Sequence, residues 1–139
     1  MKTVLFACVH NAGRSQMAAA WFNHLVDPAD ARAISAGTTP GSAVHSEVVA
    51  VMNEVGIDLS VEQPKSLSEE LARGATVLIT MGCGDECPVV PGARREDWPL
   101  EDPKGKSVGR VRHIRDDVRG RVVDLIQSMG CRFVASNRS

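Results

Sequence analysis

One segment specifies more of the structure than any other: Thr3-Val4-Leu5-Phe6-Ala7-Cys8-Val9-His10-Asn11-Ala12-Gly13-Arg14-Ser15. It joins an uninterrupted apolar run to a polar loop that contains one cysteine and one arginine. A continuous apolar run of this length is typical of a strand that is buried on both faces, as in parallel sheets. Residues 15–26 then repeat apolar side chains at helical spacing until Asp27-Pro28 ends the pattern. The segment therefore predicts a strand, a loop and a helix in succession.

The rest of the chain extends this unit. Residues 32–36 and 75–80 predict strands, and residues 43–55 and 109–129 predict amphipathic helices, the first of them closed by Gly56. Residues 81–107 are rich in proline and glycine and should be largely loop, around a short strand at most. Strands that alternate with helices predict a three-layer α/β fold, a flavodoxin-like parallel sheet of four strands flanked by helices. Nothing divides residues 1–139, so we expect a single domain.

Composition excludes several classes of function. The net charge is −1, which gives no reason to expect nucleic acid or an anionic membrane as a partner. The chain has no tyrosine, three phenylalanines and two tryptophans, too few for a base-stacking surface. The apolar run at the start is too short for a signal peptide, and no stretch approaches the roughly 20 apolar residues that span a bilayer. We therefore expect a cytoplasmic protein.

The loop after the first strand has the chemistry of an oxyanion site with a nucleophile. A strand–loop–helix junction directs several backbone N–H groups and the positive end of a helix dipole at one point. Arg14 adds a planar fork for two oxygens, and the same field favours the thiolate form of Cys8. Ser15 could donate its hydroxyl to that thiolate and also help to cap the helix. Gly13 permits tight curvature and Asn11 tolerates left-handed geometry. The predicted oxyanion-binding residues are Val9, His10, Asn11, Ala12, Gly13 and Arg14.

A simpler interpretation is a buried cysteine at a strand end beside an unrelated surface arginine. Five residues between a cysteine and an arginine are common by chance, so the spacing alone has little value. The position between an apolar strand and a helix favours the functional interpretation. His10 could act as a general base, although a side chain in such a loop more often points outward.

Two further cysteines, Cys83 and Cys87, follow the strand at residues 75–80 and should lie at the same sheet edge as Cys8. Without an export signal, catalytic, redox or metal roles are favoured over a disulfide scaffold. The pair supplies only two of the four ligands of a structural zinc site, so we expect no metal. Inert loop thiols are the other alternative. Cys131, beyond the last helix, is expected to be a packed thiol.

Residues 4–18 resemble the anion loop of the low-molecular-weight protein tyrosine phosphatase superfamily. Within it they are most similar to the arsenate reductases, whose loop is typically followed by Arg-Ser-Gln-Met-Ala, as at residues 14–18 here. The resemblance covers nearly the whole chain and implies reduction of arsenate to arsenite. Further matches are Ser35-Ala36-Gly37, Glu54-Val55-Gly56-Ile57-Asp58-Leu59-Ser60 and Trp98-Pro99-Leu100-Glu101-Asp102-Pro103.

The resemblance also implies roles for single residues. Cys83 would attack the sulfur of a Cys8–arsenic adduct, and Cys87 would then take over the disulfide. Asp102, followed by proline, would be the general acid. The implied electron donor is thioredoxin, with mycothiol or glutathione and a redoxin as the alternative. No cofactor is expected, and potassium, which some relatives bind through a glutamate of the first helix, is not expected because Ala19 occupies that position.

Two rival functions remain from the sequence. The first is a low-molecular-weight protein tyrosine phosphatase, whose Asp-Pro pair is usually followed by aromatic residues that grip the phosphotyrosine ring. Lys104 and Gly105 stand there in this chain, and a small inorganic anion needs no aromatic wall, so arsenate is favoured. The second rival is an oxyanion- or metal-responsive binding protein without catalytic turnover.

Overall fold

The computed structural model describes residues 1–82 and 92–134. Its centre is a sheet of four parallel strands in the order β2-β1-β3-β4. The strands are β1 Lys2–Cys8, β2 Ala31–Gly37, β3 Val77–Met81 and β4 Arg94–Asp97. The predicted four-stranded parallel sheet is therefore confirmed, and β4 is the short strand expected within residues 81–107.

Four helices flank the sheet within the described residues: α1 Arg14–Leu25, α2 Ser46–Asn53, α3 Glu69–Arg73 and α4 Val108–Ser128. Three of them lie within or close to the predicted ranges, although α2 begins three residues later than expected. The short α3 was not predicted, because five residues are too few for a periodic apolar pattern. Its local signals are clear in the structure, since the Ser68 hydroxyl accepts the Leu71 N–H and Glu69 and Glu70 occupy the first turn.

The two faces of the sheet are covered unequally. Val4 and Phe6 of β1 point into a large core shared with α1, α2 and α4. Leu5 and Ala7 point the other way into a small core that includes Ala72 of α3. This alternation buries β1 completely from Val4 to Cys8, as its apolar run predicts.

The strand register places the functional residues at one edge. Cys8 ends β1 and lies level with Gly37 of β2 and Met81 of β3. The loops that follow these three strands therefore meet at the carboxyl edge of the sheet, where ligands of parallel α/β sheets bind. No helix in the described ranges combines the length and apolar character needed to cross a membrane.

Candidate active site

Cys8 is buried at the bottom of the loop that joins β1 to α1. Its side chain has only 3% of its surface exposed, yet its sulfur has two polar neighbours. The Asn11 N–H donates to Sγ at 3.3 Å, and the Ser15 Oγ lies 2.8 Å from Sγ. Both neighbours can donate a hydrogen bond to the sulfur, whose thiolate is the form that acts as a nucleophile.

The backbone of the loop is turned so that its carbonyl groups face away from this sulfur. The carbonyls of Val9, His10 and Ala12 accept hydrogen bonds from the N–H groups of Thr39, Gly41 and His45 at 2.8–2.9 Å. In a trans peptide the carbonyl and the following N–H point in opposite directions. The N–H groups of the residues after those three carbonyls therefore face the interior of the loop, as the one at Asn11 does. This geometry forms a cup of donors suited to a small oxyanion.

Ser15 and Asn11 form a directed hydrogen-bond chain to the nucleophile. The Asn11 Nδ2 donates to Ser15 Oγ at 2.7 Å, so the single Ser15 proton is left to point at Cys8 Sγ. The expected capping role of Ser15 is wrong. Ser15 lies inside α1, whose N-cap is Gly13 and has no side chain to form a capping bond, and the Ser15 hydroxyl contacts Cys8 and Asn11 instead. Asn11 has φ +50°, which confirms the left-handed geometry predicted for it.

Gln16 supports the site, and no role was predicted for it from the sequence. Its Nε2 lies 3.1 Å from both the Asn11 carbonyl and Asn11 Oδ1, and 3.3 Å from the Gln63 carbonyl. The Lys65 N–H donates to Asn11 Oδ1 as well, at 2.8 Å. Because Oδ1 accepts both donors, Nδ2 of the same amide must face Ser15. The only sequence signal for this support was the Gln within the 14–18 motif.

Two glycines near the site are required by close packing. Gly37 ends β2. A Cβ there would lie 2.6 Å from the Val9 carbonyl oxygen, so the loop after β1 packs directly on this glycine. A Cβ at Gly13 would lie 2.7 Å from Cγ of Pro103. Gly13 has φ −143°, so close approach to Pro103, rather than left-handed curvature, explains why a glycine is needed.

Arg14, the first residue of α1, brings its guanidinium to the loop that follows β4. Nη1 donates to the Leu100 carbonyl at 3.1 Å, and Nη2 lies 3.8 Å from Oδ2 of Asp102. The Asp102 side chain is half exposed and its Oδ1 accepts the Lys104 N–H at 3.0 Å. The structure thus pairs Cys8 with Ser15 and Arg14 with Asp102, four of the six predicted catalytic residues.

The remaining predicted residues have other positions. His10 is exposed, and its Nδ1 lies 3.0 Å from the Thr39 carbonyl on the outer side of the loop, consistent with an outward-pointing side chain. Cys83 and Cys87 lie outside the described residues. Cys131 is a free, buried thiol in the large core. Within residues 1–82 and 92–134, no cluster of three or more metal-ligating side chains occurs.

Comparison with known proteins gives a consistent set of relatives. Residues 3–133 match the family described as low molecular weight phosphotyrosine protein phosphatase. A putative arsenate reductase of Halobacterium salinarum is 40% identical over 124 residues, 86% of this chain and 87% of that protein. A glutaredoxin arsenate reductase of Synechocystis is 38% identical over 129 residues, 91% of this chain and 97% of that protein.

A solved structure agrees with this result. The thioredoxin-dependent arsenate reductase of Corynebacterium glutamicum has 38% sequence identity to this chain and a TM-score of 0.82. The superposition covers 94% of this chain and 62% of the Corynebacterium chain, so the present protein spans less than two thirds of that relative's length.

Proposed function

The chain belongs to the low molecular weight phosphotyrosine protein phosphatase family, and from this membership and its site we propose that it is an arsenate reductase. The observation that carries the proposal is the buried Cys8 sulfur with two hydrogen-bond partners, at the base of a loop that ends in Arg14. The relatives at 38–40% identity are named as arsenate reductases, which favours arsenate among the possible oxyanions.

In the first step the Cys8 thiolate attacks the arsenic of arsenate. Inward N–H groups of the loop and the Arg14 fork hold the oxygens and stabilise the charge that develops on them. A hydroxyl leaves arsenic as water, and Asp102 supplies the proton. Asp102 is the candidate for this role because its Oδ2 lies 3.8 Å from Nη2 of Arg14, the residue that holds the anion in this scheme.

In the second step two electrons pass from sulfur to arsenic. The Cys83 thiolate attacks the Cys8 sulfur, the sulfur–arsenic bond breaks, and its electron pair leaves with arsenic as arsenite. The product is a Cys8–Cys83 disulfide. The Cys87 thiolate then attacks the Cys83 sulfur and releases the Cys8 thiolate. A reducing dithiol finally opens the Cys83–Cys87 disulfide and takes up the oxidising equivalents.

The aromatic residues support a small inorganic substrate. All five phenylalanine and tryptophan residues of the chain lie in the described ranges. Phe6, Trp21, Phe22 and Trp98 are buried in the core, and Phe133 pairs with Val26 beyond the end of α1. Lys104 and Gly105 follow the Asp102-Pro103 pair, so the chain offers no phenyl or indole wall for an aryl phosphate.

We propose thioredoxin as the electron donor and the cytoplasm, where thiols are kept reduced, as the location. Two shuttle cysteines would leave an internal disulfide as the resting product, which suits a dithiol protein. The names of the relatives do not decide the donor, since one refers to thioredoxin and another to glutaredoxin at the same identity. NADPH consumption with arsenate, measured with thioredoxin and its reductase and then with glutathione or mycothiol systems, distinguishes these donors.

The family description favours one second candidate, a phosphomonoester phosphatase that uses the same Cys8. Replacement of Cys83 by serine separates the two functions, because hydrolysis does not need a second thiol. We expect Cys83→Ser to abolish multiple-turnover arsenate reduction while Cys8-dependent hydrolysis of p-nitrophenyl phosphate continues. A wild-type protein that hydrolyses the phosphate ester but reduces no arsenate with any thiol donor would overturn the arsenate proposal. Stoichiometric anion binding without either activity would instead indicate a binding protein.

A further inference from the structure

Gly82, the residue after β3, lies directly against the Arg14 guanidinium. A Cβ built on Gly82 would be 2.9 Å from Nη1 of Arg14 and 3.4 Å from both Cζ and Nη2. These three atoms all belong to the guanidinium group. Gly82 also has φ +88°, a left-handed conformation that side chains rarely adopt.

The guanidinium is therefore held between two loops. The end of β3 forms one wall at Gly82, and the loop after β4 forms the other through the Leu100 carbonyl and the Asp102 carboxylate. A side chain at residue 82 would occupy the space in which the guanidinium lies. The strain would be relieved by movement of the flexible end of Arg14 rather than by movement of the strand, so the two donors of the fork would be turned away from the anion.

We propose that Gly82 is a positioning residue for oxyanion binding: by lacking a side chain it seats the Arg14 guanidinium in the orientation that grips the anion. The inference rests on the proposed function only in taking Cys8 and Arg14 as the oxyanion site. It assigns a binding role to the residue immediately before Cys83. It also predicts that a side chain at Gly82, after β3, weakens oxyanion binding only when Arg14 is present.

The test measures oxyanion affinity without turnover. Iodoacetamide modifies the full-length reduced protein, and mass spectrometry of the Cys8 peptide gives the phosphate concentration that halves the modification rate. We expect Gly82→Ala to raise this concentration about tenfold or more, the effect of losing one charge-assisted contact. Each protection curve is normalised to the variant's own modification rate without phosphate, so that a change in Cys8 reactivity is not counted as a change in affinity.

A matched control isolates the contact from the backbone strain. Gly56 has φ +83° and no atom within 4 Å of a built Cβ, so Gly56→Ala adds the same strain with no contact. We expect it to leave the half-protecting concentration unchanged. Gly82→Asn, which tolerates left-handed geometry but retains a Cβ, should weaken protection as Gly82→Ala does and covers the case in which alanine prevents folding.

The dependence on Arg14 gives the decisive readout. In an Arg14→Ala background, Gly82→Ala should add less than a twofold further loss of protection by phosphate, because the guanidinium that Gly82 positions is already absent. Equal protection of the wild type and both Gly82 variants, or a loss that is the same with and without Arg14, would overturn the inference. If phosphate fails to protect the wild-type protein, the proposed function itself fails, and the two failures are distinguishable.

Discussion

Two arginine clusters in this molecule hold their guanidinium groups very differently. Arg14, at the candidate site, has one carbonyl partner at 3.1 Å and a carboxylate at 3.8 Å. Arg115 of α4 faces α2. It donates to the Val51 carbonyl at 2.9 Å and to Glu54 and Asp116 at 2.8 Å. Arg112 adds two bonds to Glu54 at 2.7–2.8 Å.

From this difference we infer that the Arg14 guanidinium is available to bind a ligand, whereas the Arg115 guanidinium stabilises the fold. In the proposed function the Arg14 guanidinium would exchange a 3.8 Å ion pair for the oxyanion and would lose little by doing so. The Arg115 guanidinium is committed to a backbone carbonyl and two carboxylates, and its removal would leave a buried acceptor without a donor. One cluster should therefore control activity and the other stability.

The largest effect is expected at Arg14. Arg14→Lys keeps the charge but loses the planar fork, so we expect kcat/KM for arsenate to fall about 100-fold, close to 3 kcal/mol of transition-state stabilisation. The free energy of unfolding should fall by about 1 kcal/mol at most, the net value of the hydrogen bond to the Leu100 carbonyl. Steady-state kinetics and urea unfolding of the same preparation measure both. A loss of stability that matched the loss of activity would remove the distinction between the two clusters.

The next effect in size is expected at Arg115. Arg115→Ala removes the donor to Val51 and the packing of a side chain that is 9% exposed, so the free energy of unfolding should fall by about 2–3 kcal/mol. kcat/KM for arsenate should stay within twofold of the wild type at a temperature where both proteins are folded. An unchanged urea midpoint, or a selective loss of activity, would contradict this assignment.

The smallest effect is a pH dependence at Glu54. Hydrogen bonds from Arg112 in the first place, and from Arg115, lower the pKa of Glu54 from 4.5 to about 2. A folded-state pKa below the unfolded value stabilises the protein fully above about pH 4.5, and this stabilisation is lost as the pH falls toward 2. Glu54→Gln should therefore lose less stability than the wild type between these pH values. Thermal unfolding across that window checks this, and equal slopes for the two proteins would argue against it.

Much of the fold could be read from the sequence because its signals are local. The apolar run of β1, the spacing in α4 and the glycine that closes α2 each reflect burial or geometry within a few residues. The short α3 carries no such period. It exists because Ser68 caps it and Ala72 covers the second face of the sheet.

The candidate site also has a part that local sequence predicts and a part that depends on distant segments. Cys8, Arg14 and Ser15 could be identified because they lie in one short segment with the correct neighbours. The support given by Gln16, the Gln63 carbonyl and the Lys65 N–H could not, because it depends on a loop about 50 residues away that the fold brings to Asn11. The contacts of Gly13 with Pro103 and of Gly82 with Arg14 are equally non-local. Capping by Ser15 was wrong for a local reason: α1 begins at Arg14, one residue earlier than predicted, so Ser15 lies inside the helix and its hydroxyl contacts Cys8.

The most direct test of the account is the reactivity of Cys8 itself. At pH 6 a free cysteine is only about 0.3% ionised, given an ordinary pKa of about 8.5. We predict that iodoacetamide modifies Cys8 at pH 6 at least tenfold faster than free cysteine, that Ser15→Ala slows the reaction, and that phosphate blocks it. A Cys8 that reacts no faster than free cysteine, with no protection by phosphate, would contradict the existence of an activated thiolate in an oxyanion site.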